Sequence, residues 1–145
     1  MSKRYTLKVY PKGLGRDVYR VLEISGKDTL DDLCEDIMNA FDFVHEHLYE
    51  FNMDNRMYGS KWSYRCNPDP WFGLEDGRST DIEIGNMNLA KGQKFSLHYD
   101  FGDDWMFVIT VQGISDEARR TSSKVIKSKG GVKQYPDWDD DDEEI

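Results

Sequence analysis

The sequence predicts an α+β protein with a β-grasp-like mixed sheet, one main helix packed on one face and a late β-hairpin. Several short segments alternate apolar and polar residues, which is typical of half-buried strands. Another segment repeats its apolar residues every three or four positions, as an amphipathic helix does. Because predicted strands both precede and follow that helix, a mixed sheet that carries the helix on one face is the simplest arrangement.

The first two strands are predicted to form a hairpin. Tyr5, Leu7 and Val9 alternate with polar residues, and the segment 18–24 is rich in β-branched residues. A break at 11–15, which contains one proline and two glycines, separates the two segments. Such a break lets the chain reverse its direction between paired strands.

The main helix is predicted to follow this hairpin. Asp28 or Thr29 can accept a hydrogen bond from the first helical amides, and Asp31 and Asp32 lie where the helix dipole favours negative charge. We therefore expect a helix over about residues 30–44. Its apolar stripe contains Leu30, Leu33, Cys34, Ile37, Phe41 and Val44.

Three further strands are predicted after the helix. Residues 47–53 alternate, and so do residues 95–101 and 105–111, which form the late hairpin. Gly102 lies in the turn of this hairpin, where it is free to adopt positive φ. The segment 54–94 has a weak pattern, and we expect its aromatic residues to cover the core or to line a site.

Charge divides the chain into a body and a tail. Of the 28 acidic residues in this 145-residue chain, seven lie in 137–145, and the other 21 nearly balance the 19 lysines and arginines. A block of like charges repels itself and cannot bury apolar surface. We expect a single domain at 1–136, partly extended over 119–136, and a disordered acidic tail at 137–145.

The expected location follows from what the chain lacks. It has no apolar run long enough to span a bilayer and no apolar signal segment at its N-terminus. Its two cysteines, Cys34 and Cys66, are too few for a disulfide framework and have no zinc-binding spacing. We therefore expect free thiols, a cytoplasmic location and no membrane partner.

Residues 99–105 read YDFGDDW and resemble the YDFGDxW signature of the plasmid pRiA ORF-three-like family, which is also described as an insertion-sequence passenger protein family. The resemblance spans residues 5–137, and it implies an α+β fold with an unassigned function. Many members have a histidine where this chain has Tyr49, a difference that weakens a metal site at that position. Other segments that match the family in order are Val18–Arg20, Thr29–Leu30, Ala40–Phe43, His47–Phe51, Tyr58–Gly59, Val125–Gly130 and Gln134–Asp137.

The late hairpin supplies one candidate site. Clustered carboxylates at its tip, Asp100, Asp103 and Asp104, could hold Mg²⁺ or Mn²⁺, and His98 shares a strand face with Asp100. Alternatively, Asp100 and Asp103 accept hydrogen bonds from turn amides while Trp105 packs beneath them. The second interpretation is favoured, because Asp and Gly are ordinary turn residues.

A second candidate lies where the chain enters the third strand. His45, His47 and Glu50 are zinc-ligand types, but two histidines near a helix end do not complete a set of three or four ligands. Glu50 also points away from His47 across the strand, so a shared ligand pair would require a bulge. His47 and Glu50, together with Arg20, are therefore assigned a structural role or a place in a site.

The aromatic segment 58–72 is a third candidate. Tyr58, Trp62 and Trp71 could stack bases or hold a peptide, with basic residues among them. Alternatively, these rings cover the core. Three cations on a nearly neutral body make a weak phosphate-binding surface, so nucleic acid is not the favoured partner.

No nucleophile, phosphate-loop or dinucleotide motif is present. We therefore predict a non-catalytic interaction module that binds a protein partner, requires no cofactor and is related to mobile-element passenger proteins. The alternatives are a divalent-metal phosphoester enzyme that uses the hairpin 98–104 and an accessory protein that binds nucleic acid. The predicted interaction surface comprises Asp100, Gly102, Asp103, Trp105, Tyr58, Trp62 and Trp71.

Overall fold

The computed structural model describes residues 2–66 and 78–135. Two predictions, the site residue Trp71 and the acidic tail 137–145, fall outside these ranges. Within the ranges, no helix is long and apolar enough to cross a membrane. Cys34 and Cys66 are both free thiols, as predicted.

Strands account for most of the regular structure. The helix α1 covers Leu30–Ala40, and a short 3-10 helix covers Ile84–Met87. Both predicted hairpins are confirmed, because the first described strand pairs with the second and the sixth pairs with the seventh. The strands are β1 (Ser2–Pro11), β2 (Tyr19–Ser25), β3 (Tyr49–Asn52), β4 (Ser63–Arg65), β5 (Arg78–Ser79), β6 (Lys94–Tyr99), β7 (Trp105–Glu117) and β8 (Lys124–Lys129).

The described strands form one eight-stranded sheet in the order β5-β4-β3-β6-β7-β1-β2-β8. Neighbouring strands are antiparallel, except that β4 and β5 are parallel. The 11-residue α1 is the single α-helix of the described ranges. The predicted α+β class with a β-grasp-like sheet is therefore wrong, and the fold is dominated by its sheet.

The error arises from the three strands that were not predicted. β4 and β5 are three and two residues long, too short to display a period of two. All six residues of β8 are exposed, so no apolar face marks it in the sequence. These strands lie toward the two edges of the sheet, where backbone pairing does not require the alternation that a buried face imposes.

The apolar core lies between α1 and one face of the sheet. Alternation along the central strands directs every second side chain toward the helix. Because these side chains are large and almost fully buried, their removal from water is the main stabilising contribution to the fold. The core members include Leu30, Leu33, Ile37 and Met38 of α1, and Phe51, Phe95, Leu97, Tyr99, Phe107 and Ile109 of the sheet.

The start of α1 is as predicted. The Thr29 side chain accepts a hydrogen bond from the Asp32 amide at 3.1 Å, and the Asp32 carboxylate accepts one from the Thr29 amide at 2.9 Å. This reciprocal capping box satisfies two amides that would otherwise lack partners. Leu30 and Asp31 amides are also bonded, to the carbonyls of Ile82 and Thr80.

The end of α1 is earlier than predicted. Asp42 adopts a φ of 59°, and the Phe43 amide then donates to the Met38 carbonyl at 2.8 Å. This left-handed residue with a backward hydrogen bond is a common way to close a helix. Val44 consequently lies outside the helix and is 56% exposed, so its assignment to the apolar stripe is wrong.

The turn between β6 and β7 also differs from the prediction. Gly102 does not adopt positive φ; Asp100 and Asp104 do, at 63° and 55°. Asp tolerates this conformation because its short side chain can bond nearby backbone groups. The Asp100 carboxylate does so, since its Oδ1 accepts the amides of Gly102 at 3.1 Å and Asp103 at 3.3 Å.

Candidate functional site

The sheet face opposite α1 carries a buried row of polar side chains, which we call the polar layer. On β3, Tyr49 and Phe51 face the core, so the alternating residues between and after them face the other way. The strand register then places Glu50 beside His98 of β6 and Arg65 of β4. The polar layer consists of Glu50, Asn52, Ser63, Arg65, Ser96 and His98.

His98 lies between two carboxylates. Its side chain is 3% exposed, its Nε2 is 2.7 Å from Asp104 Oδ1, and its Nδ1 is 3.5 Å from Glu50 Oε2. The first contact is a short hydrogen bond, whereas the second is too long to satisfy the ring nitrogen. Within the described part of the chain, His98 Nδ1 and the Ser96 hydroxyl are buried without a hydrogen-bond partner.

Glu50 is compensated from the neighbouring strand. Arg65 Nε donates to Glu50 Oε1 at 3.1 Å, and Asn52 Nδ2 donates to Glu50 Oε2 at 3.1 Å. The Ser63 hydroxyl then donates to Asn52 Oδ1 at 2.7 Å. A buried carboxylate without such partners would strongly destabilise the fold. These hydrogen bonds therefore offset the cost of burying Glu50.

Two exposed aromatic rings cover His98. The Tyr58 ring lies 5.4 Å from the His98 ring and the Phe101 ring 4.9 Å, both in edge-to-face geometry. Tyr58 and Phe101 are nevertheless 66% and 47% exposed. Together with Asp103 and Asp104 of the turn they form what we call the tip surface.

Hydrogen bonds tie the two halves of the tip surface together. A bond between the Tyr58 hydroxyl and the Asp104 carboxylate raises the pKa of Tyr58. The same bond, followed by the bond from His98, lowers the pKa of Asp104. A connection that precedes β4 and the turn that precedes β7 are therefore joined through one carboxylate.

The predicted metal ligands make different contacts. His98 contacts Asp104 and Glu50, whereas Asp100 binds turn amides and places its Oδ2 3.4 Å from His47 Nε2. Asp103 is exposed in the turn. In residues 2–66 and 78–135, no three His, Cys, Asp or Glu side chains are grouped so as to hold a metal ion.

His47 belongs to a separate cluster on the core side of β3. Its ring packs edge-on against Tyr99 at 5.8 Å, and its Nε2 is 2.8 Å from the Tyr135 hydroxyl. The Tyr99 hydroxyl accepts the amides of Glu46 at 2.8 Å and His47 at 3.0 Å, and it donates to the Val44 carbonyl at 2.9 Å. These contacts give His47 a structural environment, apart from Glu50.

Arg20 joins three elements. Its Nε donates to the Ala40 carbonyl at the end of α1 at 2.9 Å, and its Nη1 donates to the Lys129 carbonyl of β8 at 3.0 Å. Its guanidinium carbon lies 4.7 Å from the centre of the Phe41 ring. The contacts place Arg20 in the architecture and not in the tip surface.

The remaining aromatic candidates are divided between core and surface. Trp105 stacks with Phe107 at 6.0 Å and meets Phe43 edge-on at 4.8 Å, which fits packing at the edge of the core. Trp62 is 41% exposed and lies in the same connection as Tyr58. Sequence reasoning did not single out Phe101 as a site residue, and it did not predict that Asp104 contacts His98 or that Arg65 contacts Glu50. The pairing of β3 with β6 would have placed Glu50 beside His98.

The chain is thus a sheet-dominated protein in which exposed aromatic rings cover the polar layer. The family model for the plasmid pRiA4b ORF-3-like protein matches residues 3–137, so the chain belongs to that family, whose function is unassigned. This confirms the predicted resemblance. No curated protein matches the chain.

One solved structure supports the fold. The crystal structure of MM3350, a protein of unknown function from Methanosarcina mazei Go1, is similar to this chain with a TM-score of 0.70 and 21% sequence identity. The similarity covers 88% of this chain and 70% of MM3350. At this identity the likeness shows the fold and assigns no activity.

Proposed function

We propose that the protein is a non-catalytic interaction module that binds a protein partner through the tip surface. The supporting observation is that two rings, Tyr58 and Phe101, pack on the same buried histidine and still expose 66% and 47% of their surface. Single exposed aromatic residues are common, but grouped ones are typical of interaction sites. Aromatic side chains are also enriched among the residues that contribute most to binding.

The polar layer supports this proposal because it fixes the rings in advance. Tyr58 bonds Asp104, Asp104 bonds His98, and His98 lies against Glu50. A surface whose side chains are already ordered loses less conformational entropy when a partner binds.

The alternatives receive less support from the same contacts. A metal-dependent phosphoester enzyme would use His98, Asp100 and Asp103 together, yet His98 bonds Asp104 and Asp100 bonds turn amides. A nucleic-acid partner would need cations at the surface. The turn instead carries aspartates, and Arg65 is engaged by Glu50.

Affinity capture with the purified protein as bait tests the proposal. The lysate is treated with nuclease, and bound proteins are quantified by mass spectrometry. Tyr58→Ala and Phe101→Ala are the test variants, and Ile126→Ala, which removes a 48% exposed side chain from β8, is the matched control. Urea denaturation first establishes that each variant is folded at the assay temperature, because both tip rings also pack on the buried His98.

We expect a partner that the wild type and Ile126→Ala retain and that both tip variants lose. With the purified partner, either tip variant should raise Kd about tenfold or more, as loss of an aromatic anchor does. A partner retained equally by all the variants would contradict the proposal. Material that disappears after nuclease treatment would indicate contact through nucleic acid instead.

A further inference from the structure

We propose that the partner inserts an arginine side chain at the tip surface, against the rings of Tyr58 and Phe101 and beside the carboxylates of the turn. This inference rests on the proposed function, because it names the chemistry of the partner for the same surface. It follows from the charge around the two rings, from their exposure and from the contacts that fix them.

The surroundings of the rings are acidic. Asp103 is exposed, the Asp104 side chain is 37% exposed, and no described residue forms a hydrogen bond or ion pair with the Asp103 carboxylate. Asp100 adds a third carboxylate to the turn, and its Oδ1 accepts the amides of Gly102 and Asp103 without a cation. A cationic group is therefore the complementary one.

The nearby cations do not neutralise this surface. Arg65 is held by Glu50 at 3.1 Å within the polar layer. Arg56 lies two residues before Tyr58. Burial acts the other way, but bonds from Ser60 and Lys61, with a smaller contribution from the charge of Arg56, lower the pKa of Asp54. The connection 53–62 carries Asp54 against Arg56 and Lys61, a net charge of +1, whereas the turn 100–104 carries three aspartates and no base.

Arginine fits this combination better than lysine. Its planar guanidinium can stack on an aromatic face while its N–H groups bond a carboxylate. The rings of Tyr58 and Phe101 flank His98 and are already oriented by it, so both an exposed π surface and a carboxylate are available in fixed positions. A lysine ammonium is more strongly hydrated and makes no planar stack.

The exposed side of α1 provides an internal comparison. Asp32 and Glu35 are exposed there, and this face is also acidic, although Arg120 lies 3.8 Å from Asp32 and His45 lies 2.5 Å from Glu35. It carries no exposed aromatic ring among the described residues of the helix. An arginine attracted by exposed carboxylates in general would shift the amides of α1 as well, whereas an arginine that needs the rings should shift mainly those of the tip surface.

The test is an NMR titration of the full-length protein with a short blocked peptide that contains arginine. Analogues carrying lysine or uncharged citrulline in place of arginine are titrated in parallel. We expect saturable shifts in the amides of Tyr58, Phe101 and Asp103 with the arginine peptide, smaller ones with lysine and none with citrulline. The amides of α1 should move less than those of the tip surface.

Two variants separate the stacking from the charge. Phe101→Leu keeps an apolar side chain but removes the π face, and Asp103→Asn removes the charge of an exposed residue. Each should weaken binding about two- to fivefold, the effect of a single exposed cation–π or ion-pair contact. Asp116→Asn, which removes an exposed carboxylate from β7, should leave binding unchanged.

Equal binding of the citrulline peptide, or equal shifts on α1, would overturn the inference. The captured partner gives the second check: excess arginine peptide should displace it from the wild type. A partner that depends on Tyr58 and Phe101 but resists this competition would refute the arginine and leave the proposed function intact. A partner indifferent to both rings would refute the proposed function itself.

Discussion

The hydroxyl of Tyr99 illustrates how much one buried polar atom can organise. It accepts the amides of Glu46 and His47 and donates to the Val44 carbonyl, so it fixes the segment that links α1 to β3. Tyr99 itself is 0% exposed. With phenylalanine at position 99, the amides of Glu46 and His47 would lose their acceptor. The Val44 carbonyl would keep its bond from Gln134.

We therefore predict that Tyr99→Phe lowers the free energy of unfolding by about 2 kcal/mol, because two part-buried amides lose their acceptor. Urea denaturation measures the change. Tyr135→Phe is the control, since that exposed hydroxyl bonds only side chains and should cost less than about 1 kcal/mol. Equal losses in the two variants would show that the amides of Glu46 and His47 find other partners in Tyr99→Phe.

The carboxylate of Asp100 stabilises the turn between β6 and β7. Its Oδ1 accepts two turn amides, and its backbone holds a φ of 63°. Asn keeps both the acceptor and the tolerance for this φ, whereas Ala keeps neither. We predict that Asp100→Asn changes stability by less than about 1 kcal/mol and that Asp100→Ala costs about 1–3 kcal/mol.

The same variants test the metal alternative through thermal unfolding with EDTA, Mg²⁺ or Mn²⁺. If Asp100 bound a metal ion, an ion concentration about a hundred times the dissociation constant would raise the free energy of unfolding by roughly 2.7 kcal/mol. We expect no such increase in the wild type, because turn amides already engage this carboxylate. An increase that disappears in Asp100→Asn would establish a metal role for the turn.

Asp104 gives the tip surface a defined response to acid. Bonds from Tyr58 and His98 hold its folded pKa below the unfolded value. A depressed carboxylate stabilises the fold above its unfolded pKa, about 3.9, and this contribution disappears as the pH falls through the lower folded pKa. We predict that Asp104→Asn flattens the fall in urea midpoint below about pH 4. Asp103→Asn should leave the wild-type slope, and two parallel acid profiles would contradict the assignment.

At the scale of elements, Arg20 determines how α1 and β8 are attached to β2. It bonds the Ala40 carbonyl at the end of the helix and the Lys129 carbonyl of β8, two groups that are far apart in the sequence. A cation at a helix C-terminus also interacts favourably with the helix dipole. Loss of Arg20 should therefore loosen two elements at once.

We predict that Arg20→Lys lowers the free energy of unfolding by about 1–2 kcal/mol, because lysine keeps the charge but cannot bond both carbonyls in a fixed fork. Hydrogen exchange should accelerate at the β8 amides and at the end of α1. Arg119→Lys, at an exposed position, is the control. Unchanged protection of β8 in Arg20→Lys would mean that β2 alone retains the strand.

Across the whole molecule, apolar periodicity predicted those strands and helical turns whose sequence pattern is imposed by a buried face. The two hairpins and the start of α1 are visible because Leu7, Leu33 and Leu97 lie on faces that must exclude water. β8 is invisible to the same reasoning, since its exposed residues are held by backbone bonds to β2. Part of the site was predictable from the sequence, because alternation places Glu50 on the strand face opposite His47. Only the register of β3 against β6 places Glu50 beside His98.

The contact between His98 and Asp104 could not be inferred from spacing. It depends on Asp100 and Asp104 both adopting positive φ, which turns the chain so that the second carboxylate, and not the first, reaches the ring. Sequence assigned the positive φ to Gly102, the residue type that adopts it at least cost. The hydrogen bonds that favour aspartate there exist only after the turn has formed.

The position of β1 in the sheet has a consequence for the order of assembly. The first strand of the chain lies between β2 and β7, and Leu7 is paired with Leu22 on one side and with Val111 on the other. During synthesis β1 can form its hairpin early, but its other edge stays open until nearly the whole chain has emerged. Pairing across so many residues is slow, and an unpaired edge is prone to misassociation. A ribosome-bound chain stalled before β7 should therefore remain sensitive to protease, and completion of the sheet should wait for one of its last strands.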